Sequence, residues 1–217
     1  MATLQFSERA QGDFRIDGDP DELRARRDRA GAGDWTWLRQ VHGARVVTVT
    51  SPGEHAGAEA DAAVSAVDDA VLAIHTADCA PVLFHSAGSD VVGAAHAGWR
   101  GLVDGVLEAT VAAMVDLGAD RVIATVGPHI RARCYEFGAD ELDQVAERYG
   151  DSVRATTAWE TPALDLGAGV RVALERIGAV VRVVAEPGCT ACEPERYFSH
   201  RARADSGRHA ATIRRGH

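Results

Sequence analysis

The chain has no lysine and no asparagine, so all 23 of its basic residues are arginine. We read this bias mainly as codon usage in a G+C-rich genome, but it has chemical force. It excludes a Schiff-base lysine, a lysine general base and a phosphate loop ending in Gly-Lys-Ser/Thr. Any anion must be held by arginine, a helix N-terminus or a metal. Long apolar runs are also missing; none approaches the roughly 20 residues of a membrane span. The first residues, Met-Ala-Thr-Leu-Gln-Phe-Ser-Glu-Arg, lack the basic and apolar regions of a secretory signal. The expectation is a cytoplasmic protein with no membrane partner. A net charge of −9 argues against nucleic acid as a partner. The exception is the stretch Arg196–His217, with six arginines against one acid, Asp205. It reads as a solvated face, with a final strand over His209–Ile213 as the alternative. Cysteine is scarce too, at four residues. In a cytoplasmic protein these are expected to be free thiols or ligands rather than structural disulfides.

What is present fits a soluble globular protein, with 46% hydrophobic residues in 217. Asp19-Pro20 reads as an N-cap and first-turn proline opening a helix to about Arg29. Strands are expected at 35–38, 45–50, 62–66, 70–75, 81–85, 91–95, 121–126 and 180–185. Helices are expected at 102–117, 139–149 and 164–177. With no internal repeat and no shift in composition, the reading is one α+β domain over 1–217, mixed β-sheets flanked by helices.

The chemistry-bearing residues stand at strand ends. Cys79 follows the apolar run Ala70–Ile74 and His75-Thr-Ala-Asp78. His96 ends the run Val91–Ala95 and precedes Gly98-Trp-Arg100-Gly101. If those two strands lie side by side, thiol and imidazole converge. Such a soft-donor pair suits a transition metal or thiolate chemistry. His42, after Gln40-Val41, is the third candidate. Arg100, near a helix N-terminus, is a candidate anion holder. Asp78 is a candidate general acid/base, hydrogen-bond partner to a metal ligand or turn cap. His129, after Gly127-Pro128, is a candidate pocket residue. His75 and His85 read as core or face residues, and His55, His209 and His217 as surface residues. Cys189-Thr-Ala-Cys192 has redox-motif spacing, but no second pair completes a four-cysteine site. Inert, redox and metal readings of that pair stay open, and reduced, dispensable thiols are the expectation.

Taken in order, these segments resemble a known family: Gln40-Val-His42-Gly43, Glu59-Ala-Asp61-Ala, Thr76-Ala-Asp78-Cys79-Ala-Pro81-Val-Leu-Phe84, Ala95-His96-Ala-Gly-Trp-Arg100-Gly101, Gly127-Pro128, Cys134-Tyr-Glu-Phe-Gly138, Leu164-Asp165-Leu166, Cys189-Thr190 and Tyr197-Phe-Ser-His-Arg201. The family is that of the laccase-domain, or purine nucleoside phosphorylase, proteins, also called multicopper polyphenol oxidase-type proteins and peptidoglycan editing factors. The resemblance implies zinc held by His42, Cys79 and His96. It implies phosphate-dependent cleavage of adenosine, inosine and methylthioadenosine, with adenosine deamination beside it. Nucleoside and phosphate are then the partners, and Asp78 and Arg100 the candidate catalytic residues. The fold also resembles cysteine hydrolases. The alternative is therefore a Cys79-dependent amide hydrolase acting on a peptidoglycan precursor. Copper phenol oxidation ranks last, because a multicopper enzyme needs many more histidine ligands.

The chain departs from the family pattern near its start. Phe6-Ser-Glu-Arg9-Ala-Gln-Gly12 runs almost directly into Asp19-Pro20, where relatives carry a longer Thr-Arg-Gly-Gly-Val-Ser-type loop. Arg9 is the counterpart of the arginine there and, with His129, a candidate substrate-binding residue. Gly127-Pro-His129-Ile-Arg131 and Tyr197-Phe-Ser-His200-Arg201 depart from the usual Gly-Pro-Ala-Ile-Gly and Phe-Phe-Ser-Tyr-Arg patterns.

Overall fold

Residues 2–31, 33–178, 180–183 and 188–215 are described by a computed structural model. Thirteen strands are formed among them: β1 Thr3–Phe6, β2 Trp35–Arg39, β3 Val46–Val49, β4 Ala58–Glu59, β5 Ala62–Ser65, β6 Val71–Thr76, β7 Ala80–Ser86, β8 Val92–Ala97, β9 Val122–Val126, β10 Arg154–Thr156, β11 Pro162–Leu164, β12 Val180–Val183 and β13 His209–Arg214. The α-helices are α1 Pro20–Ala30, α2 Trp99–Asp104, α3 Val106–Asp116, α4 Ala139–Tyr149, α5 Leu166–Arg176 and α6 His200–Arg203.

Two mixed sheets carry the architecture. One runs β1-β13-β6-β2-β4, the other β12-β9-β7-β8-β5-β3, with β10-β11 as a separate hairpin. Side chains alternate across each strand. In β6, Val71 and Ala73 face α1, packing with Phe14, Leu23 and Trp35. Leu72 and Ile74 face the other sheet, meeting Leu83, Val92 and Ala94. A third core lies between the outer face of the six-stranded sheet and α2–α5, around Phe84, Leu102, Leu107 and Met114. The order is helix, sheet, sheet, helices. Strands buried on both faces explain why 70–75 and 91–95 read as unbroken apolar runs.

The α+β reading with mixed sheets and flanking helices holds. The cap at Asp19 is present, its carboxylate accepting from the Asp21 and Glu22 amides. Several readings are corrected. The helix expected over 102–117 is two helices, because Gly105 takes a left-handed φ of 90° between them. Leu164 ends β11 rather than opening a helix; Asp165 caps α5 by accepting from the Ala168 amide. His209 is buried, not on the surface, and its Nε2 accepts from the Phe198 amide at 2.7 Å. The final-strand alternative for the arginine-rich stretch is the one the fold takes. His217 lies outside the described residues. β1 gives little sequence signal of its own; its register with β13 pairs Thr3 with Arg214 and Phe6 with Ala211.

Three histidines are buried and held neutral. Burial lowers the pKa of His75 to about 3 and those of His129 and His209 to about 4. The unfolded chain takes up these protons near pH 6.5. Between there and about pH 4 the unfolded state binds more protons than the native one, so stability must fall as pH falls. Urea unfolding at pH 7 and pH 5 should show a lower midpoint at pH 5. An unchanged midpoint would contradict the assigned burial.

Candidate metal centre and cleft

The three family-matched donors are brought together. The reason differs from the expected pairing of the runs 70–74 and 91–95. Those become β6 and β8, which lie in opposite sheets. The neighbour of β8 is β7, which starts directly after Cys79. Their antiparallel register sets Ala80 opposite Ala97 and Pro81 opposite His96, so Cys79 and His96 meet at one end of the six-stranded sheet. His42 arrives from the turn between β2 and β3. The ligating atoms of His42, Cys79 and His96 all lie within 4.8 Å of one another. Cys79 Sγ and His42 Nε2 are 3.9 Å apart. The two imidazoles stand edge to face, with centroids 4.8 Å apart.

Asp61 builds the site from behind, and the sequence reading gave it no role. It is fully buried just before β5. Its carboxylate accepts from the amides of Val41 (3.1 Å), His42 (2.9 Å) and Gly43 (2.8 Å). It also pairs with His96 Nδ1 at 2.9 Å. One side chain thus holds the turn in which His42 has a left-handed φ of 62°, and leaves Nε2 of His96 for the donor cluster. A ligating histidine is commonly fixed this way by a carboxylate. The small residues after His96 have a steric cause. A Cβ on Gly98 would lie 2.8 Å from His42 Cδ2 and 3.1 Å from Cys79 Sγ; one on Gly101 would lie 2.8 Å from the Gly43 carbonyl oxygen.

Burial pushes the Cys79 thiol up, but the His96 and His42 imidazoles outweigh it and bring it down to about 6. Burial pulls His96 down, yet Cys79 and Asp61 raise it to about 9. The donor set therefore favours a thiolate, the form that binds metal. A tetrahedral zinc, with Zn–S of about 2.3 Å and Zn–N of about 2.0–2.1 Å, spaces such donors about 3.3–3.6 Å apart. One sulfur and two imidazole nitrogens already near this spacing fit such an ion, with one position left open.

A cleft of about 910 Å³ opens over the three donors. Arg15, Arg39, Arg201 and Arg208 line it, along with Asp78, Trp37, Tyr135 and His75. Asp78 has φ 95°, and both its oxygens are engaged, accepting from Thr190 Oγ1 at 2.6 Å and the Arg201 amide at 2.7 Å. Gln40 clamps His75 through both main-chain groups.

The other named residues lie away from the cleft lining. Arg100 is exposed in the first turn of α2, its guanidinium 4.4 Å from the Trp99 ring centroid. Its charge still acts on the Tyr135 hydroxyl. Arg9 binds Asp205 at 2.9 Å and the Tyr197 carbonyl, and lies over Phe198. There it ties the start of the chain to the segment before β13. His129 is buried, with Nδ1 on the Gly127 carbonyl. Arg15 and Arg39 carried no sequence signal as cleft residues, whereas Arg201 and Arg208 belong to the arginine-rich stretch 196–217, from which a few arginines could reach a phosphate or carboxylate; β2, α6 and the loops that bring the four together are distant along the chain.

A layered α+β fold with a His-Cys-His centre under an arginine-lined cleft defines a class of proteins, and the comparisons name it. The chain belongs to the family described as multi-copper polyphenol oxidoreductase laccase, which it matches over residues 14–216. It is 44% identical over 180 residues to a purine nucleoside phosphorylase of Streptomyces coelicolor, covering 82% of this chain and 73% of the relative. It is 40% identical over 211 residues to a purine nucleoside phosphorylase of Streptomyces griseus, covering 91% and 83%. A solved Neisseria meningitidis protein, described as DUF152, superposes with a TM-score of 0.84 at 29% identity, covering 100% of this chain and 91% of that one. YlmD from Geobacillus stearothermophilus gives 0.82 at 26%, covering 100% and 92%. Among the described residues no helix is long and apolar enough to cross a membrane.

Proposed function

We propose that the chain is a zinc-dependent purine nucleoside phosphorylase acting on adenosine, inosine and methylthioadenosine. The observation that carries this reading is the His42–Cys79–His96 cluster at the base of a cleft lined by arginines. The relatives named purine nucleoside phosphorylase support it. Zinc, when bound, would supply a Lewis acid at an open coordination position. The chain's own residues do the rest. Arg39 and Arg201 at the cleft wall hold phosphate against the anomeric carbon, supplying proximity and charge, and Arg100 adds positive charge from outside the lining. Trp37 and Tyr135 offer ring surfaces to a planar base. Asp78, with both oxygens engaged, positions the segments carrying Thr190 and Arg201. Phosphate oxygen bonds to the anomeric carbon as the glycosidic C–N bond breaks and the departing base takes up a proton, giving free base with ribose 1-phosphate, or methylthioribose 1-phosphate from methylthioadenosine.

The test is product analysis. Adenosine and inosine should yield ribose 1-phosphate and base at a rate that rises with phosphate. Arg201→Ala should raise the phosphate concentration needed for half-maximal rate by about tenfold for one lost charge-assisted contact, and Arg100→Ala, which removes only more distant charge, should raise it by less. Conversion of adenosine to inosine would add the deaminase activity. Release of ribose without phosphate dependence would refute phosphorolysis.

One observation favours a second reading. Cys79, His96 and Asp61 stand in the order nucleophile, base and orienting carboxylate. An amide hydrolase would form an acyl adduct on Cys79 and keep its activity after zinc is removed. Intact-protein mass after incubating the zinc-depleted chain with amide substrates separates the two.

A further inference from the structure

Outside the cleft, a second group of soft donors is assembled from distant parts of the chain. Cys134 ends the short 3₁₀ turn Ala132–Cys134. Cys189 and Cys192 lie 55 and more residues later in the sequence. Cys134 Sγ and Cys192 Sγ are 3.2 Å apart, and all three sulfurs lie within 4.8 Å of one another. None of the three is in a disulfide. The Cys189-Thr-Ala-Cys192 spacing had no partner pair in the sequence. The fold supplies one thiol to it.

The turn around this group favours a thiolate at Cys189. The amide of Arg131 donates to Cys189 Sγ at 3.4 Å. The amides of Cys192 and Glu193 both bond the Cys189 carbonyl at 3.1 Å, which winds the turn so that both its sulfurs face one way. Glu193 accepts from the Cys189 amide at 3.1 Å, and the guanidinium of Arg203 bonds the Thr190 and Ala191 carbonyls. Burial pushes the Cys134 and Cys192 thiols up, and the charge of Arg133 opposes this at Cys192 only in part.

We infer that Cys134, Cys189 and Cys192 form a second metal site, taking one thiophilic ion, zinc, on three thiolates. A tetrahedral zinc with Zn–S of about 2.3 Å holds its sulfurs about 3.8 Å apart. The Cys134–Cys192 separation of 3.2 Å is somewhat shorter than that value, and no pair of the three sulfurs is more than 4.8 Å apart. Binding exchanges three S–H protons for three S–Zn bonds; nothing is oxidised. A disulfide between Cys134 and Cys192 would need an oxidant and would leave out Cys189, whose sulfur accepts from the Arg131 amide. The site is structural in its consequence. Thr190, inside the Cys-x-x-Cys turn, donates to Asp78 at 2.6 Å, so an ion fastening this turn braces the cleft wall without touching substrate.

The experiment uses the full chain, reduced with a phosphine, stripped by chelator and reloaded with zinc. Zinc per chain is measured for the wild type, His42→Ala, Cys192→Ser and Cys134→Ser. The wild type should hold two ions and each variant one, and the double variant His42→Ala/Cys192→Ser none. In the wild type itself, zinc should slow alkylation of exposed Cys192 about tenfold or more, with chelator restoring it. This second readout needs no variant to fold. Zinc content unchanged by Cys134→Ser and Cys192→Ser overturns the proposal. Equal alkylation of Cys192 with and without zinc also overturns it. So does a Cys134–Cys192 disulfide in the isolated protein, seen as a mass lower by two hydrogens with no metal at these residues.

Discussion

Cys79→Ala and His42→Ala are each expected to cost the cleft its metal and nearly all nucleoside turnover, while the protein still folds. Three donors leave zinc with little redundancy. Losing even an outer-shell partner lowers metal affinity about 10–100-fold, and losing a ligand should exceed that. The fold should survive because neither side chain belongs to a hydrophobic core. His42 is exposed in a turn, and Cys79 is half-buried just ahead of β7. Zinc analysis should find one ion fewer per chain than in the wild type, with the circular dichroism spectrum unchanged and the thermal midpoint close to that of the metal-free wild type. Full zinc content and full turnover in both variants would dismiss the site. Turnover that vanishes only in Cys79→Ala, and is indifferent to zinc in the wild type, would point to the thiol mechanism instead.

The second large effect is expected at Asp61, which is fully buried and outside the cleft lining. Asp61→Ala would strand the amides of Val41, His42 and Gly43 and the Nδ1 of His96, all now served by one carboxylate. Removing one partner of a buried charged network costs about 3–5 kcal/mol, and the His42 turn loses the group that holds its left-handed backbone. Asp61→Asn keeps the volume but turns an amide N–H toward donors, so it should rescue little. Both variants should fall well below the wild type in urea midpoint and bind zinc more weakly. His42→Ala should lose zinc with its urea midpoint near that of the metal-free wild type. Splitting the two effects is the check: an Asp61→Ala protein of wild-type stability would mean that the carboxylate does not hold the turn.

The parts of this arrangement legible in the sequence are those set by local pattern. The Asp19-Pro20 cap, the doubly buried strands and the amphipathic helix Ala139–Tyr149 follow from residue type and period. The donors His42, Cys79 and His96 were legible as residues, through small neighbours and strand ends. How they meet was not, because nothing local tells β8 to pair with β7 rather than with β6. The same blindness hid Asp61, whose partners come from a turn some 20 residues earlier and a strand end 35 residues later. It hid Cys134 as well, which reaches the Cys189–Cys192 turn only through the fold. Gly105 was misread because glycine inside a helical period is tolerated often enough to pass. Its left-handed φ, which splits the helix, is a tertiary choice.

The place of β13 has a consequence for how the molecule comes together. It lies inside its sheet, between β1 and β6. Its partners stand near the opposite end of the sequence and a third of the way along it. Until 209–214 is made, β6 has one flank with unsatisfied amides and carbonyls, and β1 has no neighbour at all. Such long-range pairing slows folding, and an unpaired interior edge invites association with other chains. The cleft shares this late schedule. His200, Arg201 and Arg208 on its wall come just before β13, so the pocket is finished only when that strand slots in. Cutting the chain ahead of β13 would not trim a border strand. It would divide one sheet into two and take a wall of the cleft with it.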